Sequence, residues 1–218
     1  MSKVPFRDYD EAYFKASPRN GRNLITSKRY DVHVADSVKN LETHLNFQNG
    51  ETILDIGSGL GHVAKVLCEK YNSKAYCCDV NSFLLSEAKN LCSQNSNMSF
   101  HLVKNDVNPL DFLSDNSINK AYAYAVFLHT DTSIIVNYLL SISRVLKKNG
   151  LFRFNYCNKK MPRTCGPNVI ESDKPTIDSH IKELGLTVCL NTSISRSTKG
   201  EEYDNGWEAI TTTVLLRK

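Results

Sequence analysis

Within seven residues the chain sets one carboxylate and three glycines: Asp55-Ile-Gly57-Ser58-Gly59-Leu-Gly61. Glycine is needed where the backbone takes positive φ or where a ligand lies directly against the main chain, and three of them alternating suit both. Residues 52–54 ahead of the loop read as a buried parallel strand and residues 63–67 behind it as the opening of a helix, whose free N–H groups add donors. This is the arrangement of a nucleotide-type site. Two further carboxylates end apolar runs. Asp79 follows Ala-Tyr-Cys-Cys at 75–78, and Asp106 stands between Asn105 and Val107 after the alternating run that starts at Ser99.

Spacing separates two ligand classes. A dinucleotide fingerprint has the order G-x-G-x-x-G, and its third glycine would fall where this chain has His62. Here the order is G-x-G-x-G with Asp55 two positions ahead of Gly57. That pattern resembles the first motif of class I S-adenosylmethionine-dependent methyltransferases. The resemblance implies a backbone of Gly57, Ser58, Gly59 and Gly61 along the methionine part of S-adenosyl-L-methionine, with Asp55 close to its amino group. It implies Asp79, with Val80 beside it, at the ribose, where a carboxylate can accept from both hydroxyls. It also implies Asn105, Asp106 and Val107 at the adenine, the carboxylate receiving the amino group and the valine packing on the ring. Residues 144–152, Arg-Val-Leu-Lys-Lys-Asn-Gly-Leu-Phe, resemble the family's late Leu-Lys-Pro-Gly-Gly turn, with Lys148 and Asn149 replacing proline and glycine.

Methyl transfer from a sulfonium is an in-line displacement, so the protein mainly aligns nucleophile, methyl and sulfur. An alcohol or protonated amine as acceptor also needs a base. In the family the acceptor faces the end of the fourth strand, here Tyr124-Ala-Val-Phe127-Leu-His129. The Asn/Asp/Ser-Pro-Pro-aromatic motif of nucleobase and glutamine amino-methylating members is missing. So is the carboxylate cluster of metal-assisted catechol enzymes, Asp131 standing alone, and so is the Pro-Cys nucleophile of cytosine-C5 enzymes. What remains is the group that methylates small metabolites at oxygen or nitrogen, often with an aromatic-Leu-His sequence at this place. His129 is the candidate general base, an imidazole being suited to proton transfer near neutral pH. The alternative is that it orders the loop or lines the cofactor pocket. Tyr124 is expected as cofactor wall and Phe127 as substrate wall. Residues 1–33 are aromatic and charged, and by the resemblance they form a lid to which Tyr13 and Tyr30 belong.

The elements that must position these residues follow from periodicity. Helices are expected at 32–47, with Val34, Val38, Leu41 and Leu45 on one face, at 82–91, from Asp131 or Thr132 to about Leu146, and at 177–184. Lys147-Lys148-Asn149-Gly150 should close the third of these, the glycine being able to take positive φ. Strands are expected at 75–79, 99–107, 118–127 and 151–156, and residues 186–195 and 207–216 suit an antiparallel hairpin. The expected fold is α/β: a single doubly wound seven-stranded sheet, mostly parallel, with helices on both faces over residues 34–218 and the cofactor at the switch point between strands one and four.

At 218 residues the chain is one domain's worth, and with 41% hydrophobic and 23% charged residues neither disorder nor a membrane class is favoured. The net charge of +4 is mild and spread out, so charge gives no argument for nucleic acid, and a small-molecule acceptor is expected. The amino terminus lacks the apolar core of a signal peptide and no run approaches transmembrane length, so a cytoplasmic protein off the membrane is expected. Seven cysteines without a C-x-x-C pair read as reduced thiols. Six histidines without ligand spacing imply no metal. Two readings stay open beside the small-molecule enzyme: a catalytically silent cofactor-binding subunit of a methyltransferase complex, and a methyltransferase of a macromolecule.

Overall fold

In the computed structural model, which describes residues 28–160, 169–197 and 208–218, the order is α1 (Lys28–Leu45), β1 (Thr52–Ile56), α2 (His62–Tyr71), β2 (Lys74–Asp79), α3 (Ser82–Leu91), β3 (Met98–Leu102) and β4 (Ile118–Ala123). A 3-10 turn (Phe127–His129) follows, then α4 (Thr132–Val145), β5 (Leu146–Lys160), α5 (Lys174–Glu183), β6 (Thr187–Ser197) and β7 (Glu208–Arg217). The seven strands form one sheet in the order β3-β2-β1-β4-β5-β7-β6. β1 to β5 pair in parallel, and β7 runs antiparallel between β5 and β6. The expected α/β architecture and its closing hairpin are what the chain adopts.

Alternation along each strand sends side chains to two faces. On one face Leu54, Ala121, Phe152 and Phe154 pack under Ile135, Leu139 and Ile142 of α4 and Ile177 and Ile181 of α5. On the other Ile53, Ala75, Cys77 and Tyr122 pack under Val38, Leu41 and Leu45 of α1 and Ala64 and Leu67 of α2. Burial on both faces is why the central strands read as apolar runs. Cys77 and Cys78 split between the two cores, and both are fully buried. β2 lies on one side of β1 and β4 on the other, so the switch point falls between β1 and β4, the place where the carboxyl-edge crevice of an open α/β sheet lies. No helix among the described residues is long and apolar enough to cross a membrane.

Several boundaries differ from the sequence expectation. α1 starts at Lys28, four residues early. β3 stops at Leu102, so Asn105 and Asp106 lie on the loop beyond it. β4 stops at Ala123 because Ala125 takes φ 59, which no strand can hold, and the chain turns into the 3-10 segment. After α4 the backbone goes directly into β5, and the left-handed residue is Asn149 (φ 65), not Gly150. Gly150 is needed for space, since a Cβ there would lie 2.8 Å from the Lys147 carbonyl oxygen. α5 begins at Lys174 because Pro175 suits a first helical turn, where its missing N–H costs nothing. Asp131 is the N-cap of α4 without a side-chain cap bond.

Candidate functional site

β1 delivers Asp55 to the α1/α2 face, where it is 4% exposed and Oδ2 accepts 2.9 Å from the Tyr122 hydroxyl of β4. Burial pushes this carboxyl up to about 7; the Tyr122 hydrogen bond opposes the rise and the charge of Asp79 adds to it. The loop that follows is tied to β2. Gly57 N and Ser58 N both donate to the Cys78 carbonyl, at 2.8 and 3.0 Å, and Gly59 N donates to Asp79 Oδ2 at 2.9 Å. Asn81 N donates to the other oxygen of Asp79, also at 2.9 Å. Burial raises the Asp79 carboxyl, and backbone donors from Asn81, Gly59 and Val80 pull the other way.

The three glycines have different reasons to be glycine. All take positive φ, at 70, 52 and 74. A Cβ on Gly57 would come within 2.4 Å of Val126, and one on Gly61 within 3.0 Å of the Phe100 ring. A Cβ on Gly59 would meet nothing within 4 Å among the described residues, so its φ and its open face there are what the position needs. Ser58 Oγ beside it is buried and has no hydrogen-bond partner among the described residues. Gly59 N and Asp79 thus form a polar cradle with the exposed side chain of Val80 (39%) next in sequence, and Val107, beyond the end of β3, is exposed as well (77%). On the same edge Asp106 is exposed, and its carbonyl accepts from Asn137 Nδ2 of α4 at 2.8 Å. Asn105 is half-buried.

At the exit of β4, Tyr124 is half-buried, and the Arg153 guanidinium lies 4.9 Å from its ring centroid. His129 is half-buried in the 3-10 turn, its backbone N–H donating to the Val126 carbonyl at 3.1 Å. A strap at 170–173 runs past this exit. Ile170 N donates to the Leu128 carbonyl (2.9 Å), Ser172 N to the Cys157 carbonyl (2.8 Å) and Asp173 N to Thr132 Oγ1 (2.8 Å). Phe127 does not reach the crevice. It is fully buried between Tyr138 and Phe154, at centroid distances of 5.3 and 5.8 Å, so the expected substrate wall is a core residue.

A family model described as a methyltransferase domain matches residues 53–150, a span that holds the glycine loop, Asp79, Asp106 and the β4 exit. Over those residues, somewhat under half of the chain, the protein is similar to a methyltransferase domain. No curated protein matches it. Among solved structures, a Pyrococcus horikoshii OT3 protein shares 16% identity at TM-score 0.64, covering 95% of this chain and 99% of that one. Geranyl diphosphate C-methyltransferase from Streptomyces coelicolor A3(2), solved with S-adenosyl-L-homocysteine, shares 11% at 0.62, covering 87% and 86%. The [4+2]-cyclase SpnF shares 13% at 0.65, covering 84% and 80%. At these identities the likeness is one of fold.

The cofactor of such a methyltransferase is S-adenosylmethionine. The residues present fit it: the open face of Gly59, the buried Ser58 hydroxyl and the acceptor capacity left on the Asp79 oxygens beside their backbone N–H donors suit a polar ligand against the main chain. The domain brings the glycine loop, Asp55 and Asp79 together, and Val80, Asn105, Asp106 and Val107 lie along the neighbouring strand exits. Tyr13 lies outside the described residues, and Tyr30 falls in the first turn of α1 with its side chain outside them. Sequence reasoning missed Tyr122, Arg153 and Asn155. The signal for Arg153 and Asn155 was in β5: polar residues alternating through the apolar Leu-Phe-Arg-Phe-Asn-Tyr run point to one shared face.

Proposed function

We propose that the chain is an enzyme that methylates an oxygen or nitrogen of a small-molecule metabolite. The observation that carries the cofactor half of this reading is the loop at 57–61, held left-handed and pinned through Gly59 N to Asp79 with the Gly59 face open. Bound there, the cofactor supplies a methyl group on a positively charged sulfur. In this reading the main chain of Gly57, Ser58, Gly59 and Gly61 holds its amino-acid end, and Asp55 supplies negative charge from beneath. Asp79, with Val80 beside it, accepts from the ribose hydroxyls, Asn105, Asp106 and Val107 hold the base, and Tyr124 walls the pocket. The arm at 1–33, with Tyr13 and Tyr30, covers it. His129, two residues past the Phe127 anchor and beside the strap, takes the acceptor's proton. The mild, spread charge of +4 supports a small acceptor over nucleic acid.

Calorimetric titration with S-adenosylhomocysteine, and separately with NAD, tests the site. The first ligand should bind, NAD should not, and Asp79→Ala should lose the binding. No binding of S-adenosylhomocysteine would sink the reading. Labelled methyl transfer into a metabolite extract, run against tRNA and protein fractions, tests the acceptor; label confined to macromolecules would overturn the small-molecule half. Once an acceptor is in hand, His129→Ala should lower turnover far more than cofactor affinity. Equal loss of both would make His129 a pocket residue.

A further inference from the structure

Ala125 sits in left-handed backbone, φ 59, although it carries a Cβ. Residues other than glycine, asparagine and aspartate enter that region at a cost, and they stay there only where surrounding contacts enforce it. Two contacts do so here. The Ala125 N–H donates to Asn155 Oδ1 of β5 at 2.9 Å, and Asn155 is 8% exposed. One residue on, Val126 occupies the space beside Gly57, where an added Cβ would come within 2.4 Å of it. The turn therefore joins a buried amide on β5 to the glycine loop after β1, with β4 between them. Arg153 braces the amide. Its Nη1 lies 3.5 Å from the same Oδ1 and its Nη2 donates to Asn40 Oδ1 of α1 at 2.8 Å. A guanidinium beside the amide favours its oxygen on that side, which is the atom the Ala125 N–H needs.

We propose that Asn155 is a positioning residue of the cofactor site. By clamping Ala125 in left-handed backbone it seats Val126 against Gly57, and so sets the glycine loop from two strands away. The inference rests on the reading of that loop as the cofactor cradle. It also accounts for an asparagine at a buried strand position, since an apolar side chain of the same size has no acceptor for the Ala125 N–H. An aspartate keeps the acceptor and gains an ion pair with Arg153.

Three variants test it: Asn155→Ala, Asn155→Asp, and Asn155→Ala combined with Ala125→Gly. Each is measured by hydrogen exchange of the ligand-free chain and by titration with S-adenosylhomocysteine. Asn155→Ala should speed exchange in peptides covering 124–129 and 57–61, and weaken binding about tenfold, the order expected for one buried hydrogen bond to a backbone group. Asn155→Asp should match the wild type in both readouts. Ala125→Gly should recover most of the affinity in the double variant, because glycine takes left-handed φ freely. Wild-type binding with an indifferent Asn155→Ala overturns the positioning role alone. So does exchange that rises across the whole sheet with no recovery in the double variant, which would make Asn155 a packing residue. A wild-type chain that fails to bind S-adenosylhomocysteine removes the cofactor reading, and the positioning role falls with it.

Discussion

Two neighbouring glycines, Gly57 and Gly59, look alike in sequence and do different work. Gly57→Ala forces a Cβ onto Val126 at positive φ, so it should cost about 2–4 kcal/mol of stability by urea melt. Gly59→Ala meets open space and pays only left-handed strain, about 1–2 kcal/mol, yet it fills the cradle and should weaken S-adenosylhomocysteine binding at least roughly tenfold. A Gly59→Ala chain that binds as well as the wild type would move the ligand off this loop. Asp55 makes a pH prediction. Its folded carboxyl, raised to about 7, lies above the unfolded value near ~4. Between the two the folded chain holds a proton that the unfolded chain has released, so stability falls as pH rises through that window and the loss is complete above it. Asp79 is shifted in the same direction and adds to the slope. Melting temperatures of ligand-free wild type should therefore drop from pH 5 to pH 8 by more than those of Asp55→Asn; parallel profiles would place the titration elsewhere. Asp55, the glycines and Asp79 were legible because motif spacing names residues directly. Asn155 was not, because its partner Ala125 is 30 residues away in sequence and met only across the sheet.

The β4 exit shows how an element changes a residue's meaning. Periodicity alone carries the strand to Phe127, which would leave Phe127 at the rim with Tyr124. The left-handed turn at Ala125 ends the strand early and rotates the chain, so Phe127 drops into the α4 core while Tyr124 and His129 stay half-buried. Phe127→Ala should accordingly cost about 3–5 kcal/mol, the range for a fully buried phenylalanine, and leave the S-adenosylhomocysteine affinity of the folded fraction within a factor of a few. Loss of affinity without loss of stability would return the ring to the pocket wall. The same limit explains the ends of α1 and β5. Helical and strand periods mark the middle of an element, but its last turn is chosen by local contacts such as the Lys147 carbonyl that excludes a side chain at Gly150.

At the scale of the whole molecule, the two cores meet on one sheet whose switch point lies between β1 and β4, and the proposed site residues come from the exits of β1, β2, β3 and β4. A ligand that bridges those exits binds only the folded chain. At a free concentration one hundred times its dissociation constant, S-adenosylhomocysteine should add about 2.7 kcal/mol. For a domain of this size that is a rise of roughly 5–10 °C in melting temperature. An unchanged melting curve at saturation would mean that the exits do not form one site.

The sequence by itself determined the fold class, the strand-to-helix glycine loop and the carboxylate that ends the second strand, because strand and helix periods and glycine spacing are local properties of the chain. Tertiary structure decided which side chains face the crevice. Phe127 left it, Asn155 and Arg153 gained contact with the β4 exit, and Tyr122 came to hold Asp55, each through a neighbour distant in sequence. A strand's register and the sign of one φ settle such matters, and neither is written in the spacing of residues along the chain.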